Sequence, residues 1–321
     1  MWNWVQKLLR KGRPIRGTRA AADLVFLERG EADHLLRVRE GMPHVDWEAA
    51  EAWAMARTSD EREQDRLRRA VAGAWFDALA STLTPDHKRW RHEHVEGVAP
   101  MEDGAAQRVA ADADRAAAVV CGALRPITGN AGMAPVGVVA IQRRKDYYSF
   151  ISSFYADDGE FATSGGIYHR RQGWSWPLIV LPVEGSKRAL GAVVAHELTH
   201  HVLAGLDMPL WAEEGLTQMM EERVTGVSSL HVDLHTRERH EEHWDDEAIS
   251  RFWSGEAFHF PHGEEQELAY NLAQIVVRGL LTRNPEGFFA FARAAESADG
   301  GERAAREHLD VSLQDLAIRT D

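Results

Sequence analysis

Cysteine is nearly absent: the 321 residues hold one, Cys121. An intrachain disulfide framework is therefore excluded, and so is a zinc site built on thiolates. Cys121 lies in an Ala/Val-rich stretch of helical pattern and reads as a small buried hydrophobe. Nothing in this usage calls for an oxidising compartment, and a cytoplasmic location is expected. Long apolar runs are missing as well. No stretch reaches 18 apolar residues, so no transmembrane helix is expected. The apolar part of Met1 to Lys11 is too short and too interrupted for a signal peptide. It does put Trp2, Val5, Leu8 and Leu9 on one helical face beside Lys7, Arg10, Lys11, Arg13 and Arg16. Weak contact with a membrane surface is one reading of this segment, and a docked or frayed terminal helix is the plainer one. No Lys/Arg block dominates, and 37 basic against 50 acidic side chains leave a formal charge of −13. A nucleic-acid partner is not expected, because phosphate binding needs clustered positive charge. Internal repeats and low-complexity linkers are also lacking.

What remains is ordinary globular material, 44% apolar and 27% charged, long enough for one large domain or two smaller ones. Residues 1 to 20 are basic and punctuated by Gly and Pro. Residues 21 to 95 read helical, with Ala49 to Arg57 and Glu63 to Leu83 at helical spacing and a stop at Thr84-Pro85. A short strand is expected around His92 to Val98, then a helix from Asp103 to Leu124 ending at Arg125-Pro126. Val136 to Gln142 is β-branched and short, a buried strand. A helix over Lys145 to Tyr155 follows, then strands at Gly165 to His169 and Trp176 to Val183. Lys187 to Leu203 reads as a helix, Gly205 to Pro209 as a turn, and Leu210 to Arg223 as a second helix. Residues 226 to 263 look loop-rich. Helices over Leu268 to Thr282 and Pro285 to Glu296 and a last short segment from Asp310 complete the chain. Helices, then strands, then helices argue for an α+β fold, mostly helical with a small mixed sheet. The division expected is a helical N-terminal region over 1–95 and a second domain over 96–321.

Chemistry concentrates in His196-Glu197-Leu198-Thr199-His200. Two histidines four apart on a helix present both imidazoles on one face, one turn apart. Zinc takes neutral imidazole nitrogens, so such a pair can close on one ion. Glu197 is rotated off that face yet within reach of a water activated there, the position of a general base. The apolar lead-in Ala189 to Ala195 anchors this helix in a core, which favours a rigid site. A third ligand is sought on the following helix, in Trp211-Ala212-Glu213-Glu214-Gly215. His200 lies five residues before Gly205 and Glu214 five after Pro209, so antiparallel helices rising from the turn bring the two level. Glu221 sits roughly 10 Å further along, and Glu213 points about 100° away from Glu214.

From about residue 135 onward the chain resembles the MA-clan, gluzincin-type metallopeptidases, especially the bacterial "peptidase MA-like" domains. The matching pieces are Gly166-Ile167-Tyr168, His196 to His200, Trp211 to Gly215, Ala269-Tyr270 and the closing Leu309 to Leu316. Residues 1 to about 95 are outside the resemblance. One departure is that only 13 residues separate His200 from Glu214, fewer than in the best-known gluzincins. The resemblance implies a thermolysin-like core, one Zn2+ held by His196, His200 and Glu214, and a peptide or protein substrate. It implies Tyr270 as the group that stabilises an oxyanion. It also makes Gly165, Gly166 and Tyr168 part of an edge strand bordering the cleft, on which an extended substrate pairs. Gln218, one turn beyond Glu214, is a candidate partner behind the ligands.

The blander readings are a helix-dipole carboxylate for Glu214, a packed aromatic for Tyr270 and a simple turn for Gly165-Gly166. His231, His235, His240, His243, His259 and His262 read as a solvated loop rather than a second metal site, and His201 as structural. The function expected is a zinc-dependent hydrolase, a peptidase with Glu197 as general base. The alternatives are a catalytically inactive peptidase-like binding or scaffold module, and an accessory protein in which residues 1–95 do the work.

Overall fold

The structure is a computed structural model that describes residues 33–39, 41–83, 86–91, 95–100, 105–129, 136–152, 166–169, 176–183, 187–228, 230, 233–259 and 264–318. It is mostly helical with one small mixed sheet and a separate hairpin, an α+β arrangement. The described residues divide into two compact units, one drawn from 33–117 and 136–197 and the other from 118–129 and 198–318.

The first unit opens with strands β1 (Leu36–Arg39) and β2 (Met42–Val45), paired antiparallel about Gly41 at φ +79°. Helix α1 (Trp47–Arg57) starts where the Asp46 carboxylate accepts from Ala49 N at 3.0 Å, satisfying an orphan donor of the first turn. Helix α2 (Glu61–Leu83) carries two acids, Glu61 and Glu63, at its positive end. Then come β3 (His87–Arg91), β4 (Val95–Pro100), helix α3 (Ala105–Thr128), β5 (Val136–Ile141), helix α4 (Arg144–Ser152), β6 (Ile167–His169) and β7 (Leu178–Pro182). The sheet runs β3-β4-β5-β7-β6, with β4, β5 and β7 parallel and the two outer strands antiparallel. Every residue of β4, β5 and β7 is buried, as strands covered on both faces require. Trp75, Phe76 and Leu79 of α2 and Tyr147 and Phe150 of α4 pack with Val98, Val139, Leu178 and Val180 of the sheet. A Cβ on Gly137 would lie 2.4 Å from Phe76 Cζ, so the bare backbone is what lets that ring reach the strand. Helix α5 (Lys187–Leu203) follows β7, and two helices continue past a division of the units, α3 at residues 117 and 118 and α5 at residues 197 and 198.

The second unit contains α6 (Leu210–Thr225), α7 (Leu234–His243), α8 (Asp246–Ser254), a 3-10 turn (Glu256–His259), α9 (Glu264–Arg283), α10 (Pro285–Ala294), α11 (Glu302–Leu309) and α12 (Leu313–Ile318). Trp211, Leu216, Phe252, Leu272, Val277, Phe288 and Phe291 form its core. Buried Trp211 donates from Nε1 to Gly300 O at 2.9 Å. Helices α6 and α9 touch at the backbone: a Cβ on Gly215 would be 2.4 Å from Ala273 O. No helix among the described residues is long and apolar enough to cross a membrane.

Three expectations are corrected. The segment 21–95 is not helical throughout, since it contains β1, β2 and β3. These strands are four or five residues long with few apolar positions, and cross-strand pairing rather than local pattern fixes them. The boundary expected at residue 95 falls between β3 and β4, where Arg91 pairs with Glu96. The stretch 226–263 is not loop-rich. Helix α7 has no buried residue and so no apolar stripe to read. Capping by Asp233 and Asp245 and pairs such as Arg237–Glu241 and Arg251–Glu247 support α7 and α8 instead. Finally, α3 runs through Pro126 to Thr128 rather than stopping before it, and α11 was not anticipated. The N-terminal segment 1–32, Gly165, His231 and His262 lie outside the described residues.

Candidate metal centre

Helix α5 holds Val194, Ala195, Leu198 and Thr199 in full burial, so the turn carrying His196, Glu197 and His200 is set by packing rather than by solvent. After it, Leu206 N donates to Leu203 O at 2.8 Å, and Pro209 at the mouth of α6 takes φ −63°. Proline there costs no hydrogen bond and starts the helix at once. The tight return brings α6 level with the end of α5.

One ligand atom each from His196, His200 and Glu214 lie within 4.8 Å of one another, the single such group among the described residues. His200 Nε2 stands 3.5 Å from Glu214 Oε1. Two donors on a tetrahedral zinc at about 2.0–2.1 Å are separated by about 3.3 Å. The His200–Glu214 pair is therefore within tenths of an ångström of the spacing such an ion asks for. Two imidazoles and a carboxylate also match zinc chemistry better than magnesium or calcium, which ask for more oxygens. Glu214 is 5% exposed. Glu221 lies outside the cluster.

Glu213 is the residue that the sequence reading passed over. Its Oε1 lies 2.7 Å from His200 Nδ1. The 100° turn that takes Glu213 away from Glu214's direction does not take it away from the histidine, because the two ring nitrogens lie on opposite sides of the imidazole. Glu214 faces Nε2 and Glu213 faces Nδ1. A carboxylate on Nδ1 fixes that nitrogen as the donor and makes Nε2 the one with the lone pair for coordination. The adjacent acids in Trp211-Ala212-Glu213-Glu214-Gly215 were the available signal. The pair places two negative charges around one imidazole, which favours a bound cation.

Glu197 is buried at 7% exposed. A Cβ on Gly166 would lie 3.6 Å from Glu197 Oε1 and 2.4 Å from Val193 Cγ1. The residue entering β6 thus runs against α5 beside the carboxylate, and only glycine allows that approach. Tyr168 sits in β6 opposite Ile179 and is half-buried. Tyr270 is on α9, half-buried, with its ring edge-to-face on Phe258 at 5.3 Å. His201 is buried, as a structural role implies. The structure thus brings together His196, His200 and Glu214, and sets Gly166 beside Glu197.

No protein-family model matches the chain, and a search of curated protein sequences finds no match.

Proposed function

We propose that the chain is a zinc-dependent hydrolase, a peptidase of the gluzincin type with a thermolysin-like core and one zinc per chain. The observation that carries this reading is the convergence of His196, His200 and Glu214 within 4.8 Å, with the buried Glu197 on the same helix turn. His196 and His200 donate neutral nitrogens, Glu214 a carboxylate oxygen, and Glu213 holds His200 in the correct tautomer. A zinc ion held there supplies Lewis-acid polarisation of a carbonyl and acidifies a water. Glu197 takes the proton of the attacking water and passes it to the leaving amine. Tyr270 donates to the oxyanion. Gly166 and Tyr168 border the cleft, and an extended peptide pairs along β6.

The test joins metal content to turnover. Purified protein, stripped and reloaded, should hold about one zinc per chain and digest a peptide library. Glu197→Gln preserves shape but cannot act as base, so turnover should fall by about two to four powers of ten with zinc retained. A variant that keeps its zinc and fully rescues a deletion of the gene would favour the scaffold reading instead.

A further inference from the structure

Helix α7 is held against α9 without burying a single residue. Its outer attachment is by exposed charge: Arg239 reaches Glu267 at 3.1 and 3.4 Å and faces Glu264 at 3.4 Å. Such exposed pairs contribute little. Inward, the helix leans on Trp244, the residue that caps its end, whose ring packs against the core of this unit.

His240 Nδ1 accepts a hydrogen bond from Trp244 Nε1 at 2.9 Å. An indole N–H can only donate, so Nδ1 must be the bare nitrogen and the neutral ring carries its proton on Nε2. That Nε2 is buried and meets no hydrogen-bond acceptor, and His243 Nε2 is buried in the same way. A second proton on His240 has one place to go, Nδ1, where the indole hydrogen already points. Two donors would then face each other, and the charge would lie beside an Nε2–H that has no acceptor.

The surrounding charges act on His240 from both helices. Arg239 and His243 on α7 oppose a positive imidazole, and Glu267 on α9 favours it. His243 itself lies 3.7 Å from Glu265 of α9. Arg251 of α8 already occupies both oxygens of that carboxylate, at 2.8 and 3.2 Å, and Asp245 at the start of α8 feels the His243 charge. Burial first, and then Arg239 and His243, hold the His240 imidazole below its ordinary value of 6.5.

Trp244 is where this reaches further. Its ring meets His243 at 4.7 Å and Phe252 at 5.6 Å; Phe252 meets Phe258 at 5.7 Å, and Phe258 meets Tyr270 at 5.3 Å. A row of touching rings runs from the α7 histidines to Tyr270, all within one unit.

We propose that His240 is a proton sensor: a proton gained at Nδ1 breaks the bond to Trp244, frees α7 from that core-packed ring and loosens the aromatic row that ends at Tyr270. This goes beyond the hydrolase reading and does not depend on it. A depressed imidazole binds its proton more readily when α7 is free than when it is docked. Docking is therefore fully stable above pH 6.5 and weakens as pH falls below that, by at most about tenfold per pH unit.

Hydrogen exchange read by mass spectrometry on the full chain, corrected for intrinsic rates, tests it at pH 7.5 and 5.5. Protection of 234–243 should fall several-fold, up to about tenfold, at the lower pH, while 285–309 stays unchanged. His240→Gln can still accept from Trp244 but does not titrate, and its α7 protection should be flat across the same range. Glu267→Gln removes a charge that favours the protonated ring only while α7 is docked, and with it a contact of Arg239, so docking loses more at acid pH and the midpoint of release should move to higher pH. Equal wild-type protection at both pH values would overturn the proposal, as would a full drop in His240→Gln or an unmoved midpoint in Glu267→Gln.

Discussion

Removing Glu213 isolates the contribution of a group that does not touch the metal. At 2.7 Å its contact with His200 Nδ1 has the length of a charge-assisted hydrogen bond. Both side chains are largely shielded, His200 at 17% and Glu213 at 24% exposed, so water replaces the lost partner only in part. Glu213→Ala frees the imidazole to rotate and lets the proton settle on either nitrogen. Carboxylate partners behind metal-bound histidines are typically worth about 10- to 100-fold in metal affinity, or about 1.4 to 2.7 kcal/mol. Glu213→Gln keeps an amide oxygen as acceptor for Nδ1–H but loses the charge, and should fall at or below the low end of that range. Glu214→Ala deletes a ligand outright and should cost more than either. The assay is competition for zinc against a chromophoric chelator at neutral pH, with circular dichroism to verify folding. The order Glu214→Ala, Glu213→Ala, Glu213→Gln, from weakest binding to tightest, follows from the two-sided grip on His200. A Glu213→Ala protein that binds zinc as tightly as wild type would refute that grip. Weaker binding in Glu213→Ala than in Glu214→Ala would mean that the two carboxylates have exchanged roles.

His200→Ala should empty the site, and a full equivalent of zinc by elemental analysis would show that the ligand set is wrong. Tyr270→Phe should lower peptide turnover by roughly two to three powers of ten with zinc content unchanged; unaltered turnover would return Tyr270 to its packing role on Phe258. Gly215→Ala forces a methyl to within 2.4 Å of Ala273 O and 2.5 Å of Val277 Cγ2. It should destabilise the protein by about 1–3 kcal/mol or more in urea unfolding, and an unchanged midpoint would contradict the close approach of α6 and α9.

The parts of this molecule that were legible in the sequence are those whose pattern is local. Helix α5 matches its expected span, Lys187 to Leu203, because an apolar lead-in and a Gly-to-Pro turn bound it. Glu214 followed from counting residues on either side of that turn. Strands β5 and β7 announced themselves by β-branched content. The failures share a different cause. Strand β3 is His-Lys-Arg-Trp-Arg, and it becomes a strand by pairing with β4, a fact that no local window holds. Helix α7 lacks an apolar face, so a periodicity test returns a loop where capping and ion pairs make a helix. Helical angle alone points Glu213 away from Glu214, and its place shows only once His200 is seen as a ring with two sides.

The two outer strands of the sheet have a bearing on solubility. An unpaired strand edge is a template on which another chain can add, the usual start of aggregation. Here the two margins differ. Strand β3 sets Lys88 and Arg91 in exposed positions, so a second copy laid against it in register meets like charge. Strand β6 is three residues long, about 10 Å of edge at 3.3 Å per residue. Among the described residues, that is a short length for a second copy to pair along.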